Sequence, residues 1–315
     1  MPFAKSKRYY QKLLRFFTFD IWNVDNMAEG NGSSWGIRYL KILLITIRSV
    51  SDHKVGLLAA ALTFFSLVAI VPFIAVVYAI TKGFGFAKEL ESLIFANFSE
   101  QEEVVQWVLK FANNLLDTNK SGLFGIIGFI TFLWSVVWVM ISVEQTFNHI
   151  WQVKNDKSIA RKALVYIGII ILSPILMGGL LLAPLSYNTF IQSIGLDIKF
   201  FSTLAPFVAK LMHFLSLCIL FFAAYKLIPS AKIGIIPALY AALFTTTAFM
   251  CVQMLYWETQ IFVVRLNAVY GAFAAIPFFM FWMQINWLLI LLGAELSYAF
   301  QNFKSYQYNG NKIII

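Results

Sequence analysis

The chain has 315 residues, of which 60% are hydrophobic and 12% charged, with 32 phenylalanines and a net charge of +9. Soluble domains carry about 25% charged residues, so water cannot cover this surface, and the chain reads as an integral membrane protein. Cys218 and Cys251, the two cysteines, both lie in apolar runs, which excludes a disulfide scaffold, and the aromatic content excludes disorder.

Residues 1–54 read as a cytoplasmic, basic, amphipathic segment. Within it, residues 5–17 interleave bases with aromatics (Lys5, Lys7, Arg8, Tyr9, Tyr10, Lys12), the pattern of a helix lying in the membrane interface. A turn-rich linker over residues 25–34, with Gly30 and Gly32, leads to a second such helix. There Leu40, Leu43, Leu44, Ile47 and Val50 share helical spacing, while Arg38, Lys41 and Arg48 occupy another side.

Residues 55–300 form the predicted transmembrane domain. A helix needs about 20 apolar residues to cross the hydrocarbon core, and six stretches qualify: 55–80, 122–147, 163–185, 203–224, 233–257 and 271–300. The strands of a membrane barrel are about 10 residues long and alternate in polarity. These runs are longer and apolar all round, so the predicted fold class is all-α. The external loop, residues 81–121, is acidic, and Ser99 with Glu102 forms a capping box. Its apolar stripe (Val104, Val108, Phe111, Ala112, Leu115) reads as packing on the bundle, with a lid as the alternative. Residues 301–315 form the expected cytoplasmic tail.

Most of the 24 lysines and arginines fall before the first span, in the second-to-third and fourth-to-fifth loops, and in the tail. Basic loops stay in the cytoplasm, which predicts six spans with both termini inside and a first span that directs insertion without a cleavable leader. The same basic underside is expected to attract anionic lipid rather than nucleic acid.

Two carboxylates lie inside spans, where each costs roughly 2.5–3.5 kcal/mol at the centre. Glu144 shares a helix face with Asn148, four residues on. Glu295 sits on a stripe with Gln284, Leu288, Leu291, Tyr298 and Asn302. Both acids are expected near the cytoplasmic boundary, with Arg48, Arg161 and Lys162 as partners. Two roles stay open for them: fixing helix packing, or coupling a proton or substrate. Pro72 removes a backbone hydrogen bond inside the first span and marks a flexible point. Pro174 and Pro277 interrupt two others. Ala59, Ala60, Ala61 and the face Ala238, Ala241, Ala242, Thr245 read as packing seams. Trp134, Trp138, Trp282 and Trp287 read as core packing rather than cavity lining.

His53, His149 and His213 look isolated, and no HExxH, CxxC, GxSxG or P-loop pattern is present. The expectation is therefore a protein that is not an enzyme, with no cofactor and no metal.

Several stretches together carry a family resemblance. They are Ala59-Ala60-Ala61-Leu62-Thr63-Phe64-Phe65-Ser66 leading to Pro72-Phe73, and Gly122-Leu123-Phe124-Gly125-Ile126-Ile127-Gly128 with Trp134. The most specific is Val143-Glu144-Gln145-Thr146-Phe147-Asn148-His149-Ile150-Trp151, followed by Arg161-Lys162-Ala163. Tyr270-Gly271-Ala272-Phe273 and Leu292-Gly293-Ala294-Glu295-Leu296 complete the set. In these residues the chain resembles the YihY/BrkB family of bacterial inner-membrane proteins over residues 50–300. The resemblance implies six helices, both termini inside, and a bacterial plasma-membrane location. Members have been labelled ribonuclease-BN-like or serum-resistance virulence factors, and lipid or small-molecule transport has been suggested. The nuclease label finds no support in these residues.

The reading favoured by the sequence is a transporter- or flippase-like protein for an amphiphilic, anionic molecule such as a lipid. Glu144, Asn148, Gln284 and Glu295 would line the polar part of its path, with Arg48, Arg161 and Lys162 at the head group. The rival is a scaffold in an envelope-biogenesis complex that docks through residues 99–116. Substrate, coupling ion, oligomeric state and any protein partner are left open.

Overall fold

The computed structural model describes residues 34–83, 137–153, 198–270, 275–305, 307–309 and 312–314, together with 162, 164–168 and scattered positions between 85 and 134. Helix α1 is Ser34–Asp52 and α2 is Val55–Gly83. Residues 137–150 form α3, and residues 164–168 are also helical. Ile198–Leu227 is α4, Ile235–Tyr270 is α5 and Ala275–Asn302 is α6. A small antiparallel hairpin of β1 (Gln307–Asn309) and β2 (Lys312–Ile314) follows, with Tyr308 opposite Ile313. The all-helical expectation holds for the remainder of the regular structure among the described residues.

Three of these helices contain stretches long and apolar enough to cross a membrane: Lys210–Leu227, Ile235–Tyr256 and Pro277–Asn302. Gly36–Asp52 and Val55–Ala69 meet at 62° and make a fourth candidate if taken together. Most of the expected spans at 122–147 and 163–185 lies outside the described residues, as do Arg161, Pro174, the linker over 25–33, the segment 5–17 and nearly all of 99–116. Helix α2 continues as a single helix past position 72.

Helix α6 is central and packs against α5, α2 and α1, while α4 packs chiefly on α5 and also touches α6. Small residues make this possible. Ala238, Ala241, Ala242 and Thr245 on α5 are wholly buried, as are Leu291, Ala294 and Ala299 on α6. The expected seam on α5 is therefore present, because short side chains let two backbones approach and gain dispersion along their length. On α2 the seam is narrower: Ala59 is buried, whereas Ala60 and Ala61 are exposed. Tyr225 of α4 donates to the Ile290 carbonyl at 2.9 Å and shares a 2.7 Å hydrogen bond with Thr245, which ties α4, α5 and α6 together.

One expectation needs correction. Trp134 and Trp138 are 62% and 50% exposed and touch each other at 6.2 Å rather than packing in the core. Burying large apolar side chains against protein is driven by water outside, and against lipid tails that driving force vanishes. Helix α1 likewise turns Leu43 and Ile47 outward, at 54% and 61% exposure, as an interfacial helix does, and its buried face is Lys41, Ile42, Ile45 and Ser49.

Candidate functional site

Both carboxylates singled out by the sequence are buried, Glu144 at 2% and Glu295 at 0% exposure. Each is held by a different set of partners around the end of α3.

Helix α3 ends in a Schellman turn. The Val153 amide donates to the Asn148 carbonyl at 3.0 Å and the Gln152 amide to that of His149 at 3.1 Å. This requires Gln152 to adopt a left-handed backbone, with φ of 50°. The final turn then presents Glu144 and Asn148 on one face, as their four-residue spacing dictates. They meet the loop between α4 and α5. The Ser230 amide donates to Asn148 Oδ1 at 2.7 Å, and the Ser230 hydroxyl donates to Glu144 Oε1 at 3.3 Å. Lys162 Nζ lies 3.2 Å from Glu144 Oε1, and the Tyr166 hydroxyl donates to Oε2. Lys162 is thus the partner expected for Glu144. The same loop is fastened from α6: the Gly234 amide donates to Gln301 Oε1 at 2.7 Å, and Gln301 Nε2 donates to the Lys232 carbonyl at 3.1 Å.

Glu295 is held otherwise. Arg48, one of the expected partners, pairs instead with Asp52 on its own helix at 3.6 Å, both side chains being more than half exposed. Helical spacing and exposure favour that local pair and leave it weak. Instead His53 Nδ1 is 2.7 Å from Glu295 Oε1. His53 occupies the sharp turn between α1 and α2, formed because Lys54 takes a left-handed backbone with φ of 52°. His149 faces it edge-on with ring centres 5.5 Å apart, and Gln152 Nε2 lies 3.5 Å from His53 Nε2. Two histidines that look isolated in sequence are therefore neighbours. Left-handed non-glycine residues cost roughly 1–3 kcal/mol each and collect at functional sites. Among the described residues the two such positions, Lys54 and Gln152, flank His53.

The hydrogen bond to Glu295 raises the pKa of His53 above its ordinary value, against partial burial, which acts in the opposite sense. Glu295 Oε2 is buried with no hydrogen-bond partner among the described residues.

Gln284 lies farther along α6 and donates to the Gly56 carbonyl at 3.3 Å, joining α6 to the first turn of α2. It is not part of either carboxylate cluster in the described contacts. One turn back toward Glu295, Trp287 Nε1 donates to Ser66 Oγ at 2.9 Å. On the other side of α6 a groove of about 580 Å³ runs between α1, α5 and α6, lined chiefly by Tyr39, Leu43, Tyr240, Phe244, Leu296 and Phe300. No sequence signal marks this groove, because it depends on how three helices meet.

These features define a helical membrane protein in which two charged clusters are buried at one end of the helix packing. Residues 46–312 match the family described as Virulence factor BrkB. The chain belongs to that family. A UPF0761 membrane protein of Mannheimia succiniciproducens is 31% identical over 262 residues, covering 78% of this chain and 84% of its own length. One from Legionella pneumophila is 32% identical, covering 77% and 58% respectively. One from Acinetobacter baylyi is 27% identical over 85% of this chain, and the match takes in 64% of that protein. This chain therefore spans less than two thirds of several relatives it matches. No solved structure matches it.

Proposed function

We propose that this protein moves an amphiphilic, anionic molecule, a lipid or a close chemical relative, across the bacterial inner membrane. The observation that carries the reading is the groove of about 580 Å³ between α1, α5 and α6. That volume falls in the range of small-molecule sites, about 300–1,000 Å³. Its lining is aliphatic and aromatic apart from Thr247 and the hydroxyls of Tyr39 and Tyr240, which suits an acyl chain. Helix α1 supplies one wall and also bears Arg38 and Arg48, bases of the sign that attracts a lipid head group. In this reading six helices cross the membrane and both termini are cytoplasmic. Glu144, Asn148, Gln284 and Glu295 serve the polar part of the path, with Arg48, Arg161 and Lys162 assisting at its mouth and Pro72 as the flexible point. Membrane lipids are the partners, no covalent chemistry is assigned, and no cofactor is required.

The test is transfer of reporter lipids between leaflets in proteoliposomes, using anionic and zwitterionic head groups. Transfer should exceed that of protein-free liposomes, favour the anionic reporter, and fall when Ala248, which also lines the groove, is replaced in Ala248→Trp to fill it. Equal transfer with and without folded protein removes the reading.

A further inference from the structure

We propose that His53 is the proton conduit to Glu295, so that the ion taken up at this site is the proton. The proposal rests on reading Glu295 as a pathway residue, and it names the coupling ion that reading lacks.

Position comes first. Glu295 is fully buried on α6, and Oε1 is 2.7 Å from His53 Nδ1. The His53 side chain keeps 13% exposure, and its second nitrogen faces Gln152, which is exposed. The imidazole therefore has one nitrogen on the buried acid and the other toward the exposed rim. No other described side chain has this pair of contacts. Glu295 Oε2 lies beyond, buried and without a hydrogen-bond partner among the described residues.

Such an arrangement moves a proton without moving the ring. In the starting state neutral His53 donates its Nδ1 proton to the Glu295 carboxylate. A hydronium ion at the exposed rim gives a proton to Nε2 and leaves as water, which makes the ring an imidazolium. The Nδ1 proton then passes to Oε1, leaving a neutral acid and an imidazole that carries its remaining proton on Nε2. The pair has gained one proton, and release follows the same steps in reverse. The groups facing His53 are Glu295 and Tyr298 from α6, His149 and Gln152 from the end of α3, and Asp52 and Lys54 beside it in the chain. The left-handed backbones of Lys54 and Gln152 are the local cost of holding His53 and Gln152 in place.

The experiment is a pH jump on the full chain in liposomes, followed by time-resolved infrared spectroscopy of the protonated-carboxyl band. A band lost in Glu295→Gln belongs to Glu295. His53→Gln keeps a hydrogen-bond donor but cannot relay, and should slow appearance of the band by about 10²-fold, with added imidazole restoring part of the rate. An unchanged rate in His53→Gln overturns the conduit, as does absence of the carboxyl band at every pH. If His53→Gln fails to fold, the wild type still decides: histidine-ring and carboxyl bands must change together, and a carboxyl band that rises alone overturns the proposal. The readout involves no lipid, so intact proton uptake without lipid transfer would remove the transport reading while leaving the conduit.

Discussion

Glu144 and Lys162 lie 3.2 Å apart, the acid 2% and the base 22% exposed, and the Ser230 hydroxyl shares the same carboxylate oxygen. Removing one partner of such a pair leaves an uncompensated buried charge. Lys162→Met should therefore destabilise the protein by about 1–3 kcal/mol, less than a fully enclosed pair because Lys162 reaches solvent. The double variant Lys162→Met, Glu144→Gln should recover part of that loss, since the orphaned charge goes too. Thermal unfolding in detergent measures both. A double variant less stable than Lys162→Met alone contradicts this account.

The contrast between the two acids explains what was legible in the sequence. Glu144, Asn148 and Lys162 were readable because a four-residue helical spacing and a nearby basic loop are local features. The Ser230 amide was not, since a backbone donor in a loop leaves no mark on residue type. His53 lies 242 positions from Glu295, so only the turn at Lys54 and the packing of α1 and α2 on α6 bring it there. What surrounds each face of α1 was hidden for a different reason. Leu43 and Ile47 stand exposed while Lys41 is buried, and helical periodicity says which residues share a face but not what that face meets.

Gly293 tests the α5–α6 contact. A Cβ built there collides with Thr245 Oγ1 and the Tyr225 hydroxyl, two atoms already joined at 2.7 Å. Gly293→Ala forces those hydroxyls apart, and overpacking of this kind costs about 1–3 kcal/mol. Adding Tyr225→Phe removes one of the colliding atoms and should return part of the lost stability, even though it also forfeits the bond to the Ile290 carbonyl. Equal melting temperatures for wild type and Gly293→Ala would show that the helices separate at no cost.

The exposed tryptophans should meet lipid. Trp134 and Trp138 are more than half or about half exposed, whereas Trp287 is partly buried and bonded to Ser66. In single-tryptophan variants reconstituted with bromine-bearing acyl chains, Trp138 fluorescence should be quenched strongly and Trp287 much less. Quenching of equal depth at both positions would place Trp287 on the surface and reject the packing between α6 and α2 given above.

The His53–Glu295 hydrogen bond makes stability depend on pH in a definite direction. It raises the His53 pKa above the ordinary value of 6.5. Folding is then favoured when the imidazole is protonated, so the contribution is complete below the unfolded pKa and declines as pH rises through the folded one. The melting temperature should accordingly fall over the window that begins near 6.5 and extends above it. Glu295→Gln should lower the His53 titration midpoint, followed by NMR on ring-labelled histidine, and flatten the slope in that window. His149, exposed on the far side of the ring contact, serves as the control, because His149→Gln leaves the bond to Glu295 in place. A His53 midpoint at or below 6.5, or one that Glu295→Gln does not lower, would mean that partial burial outweighs the carboxylate.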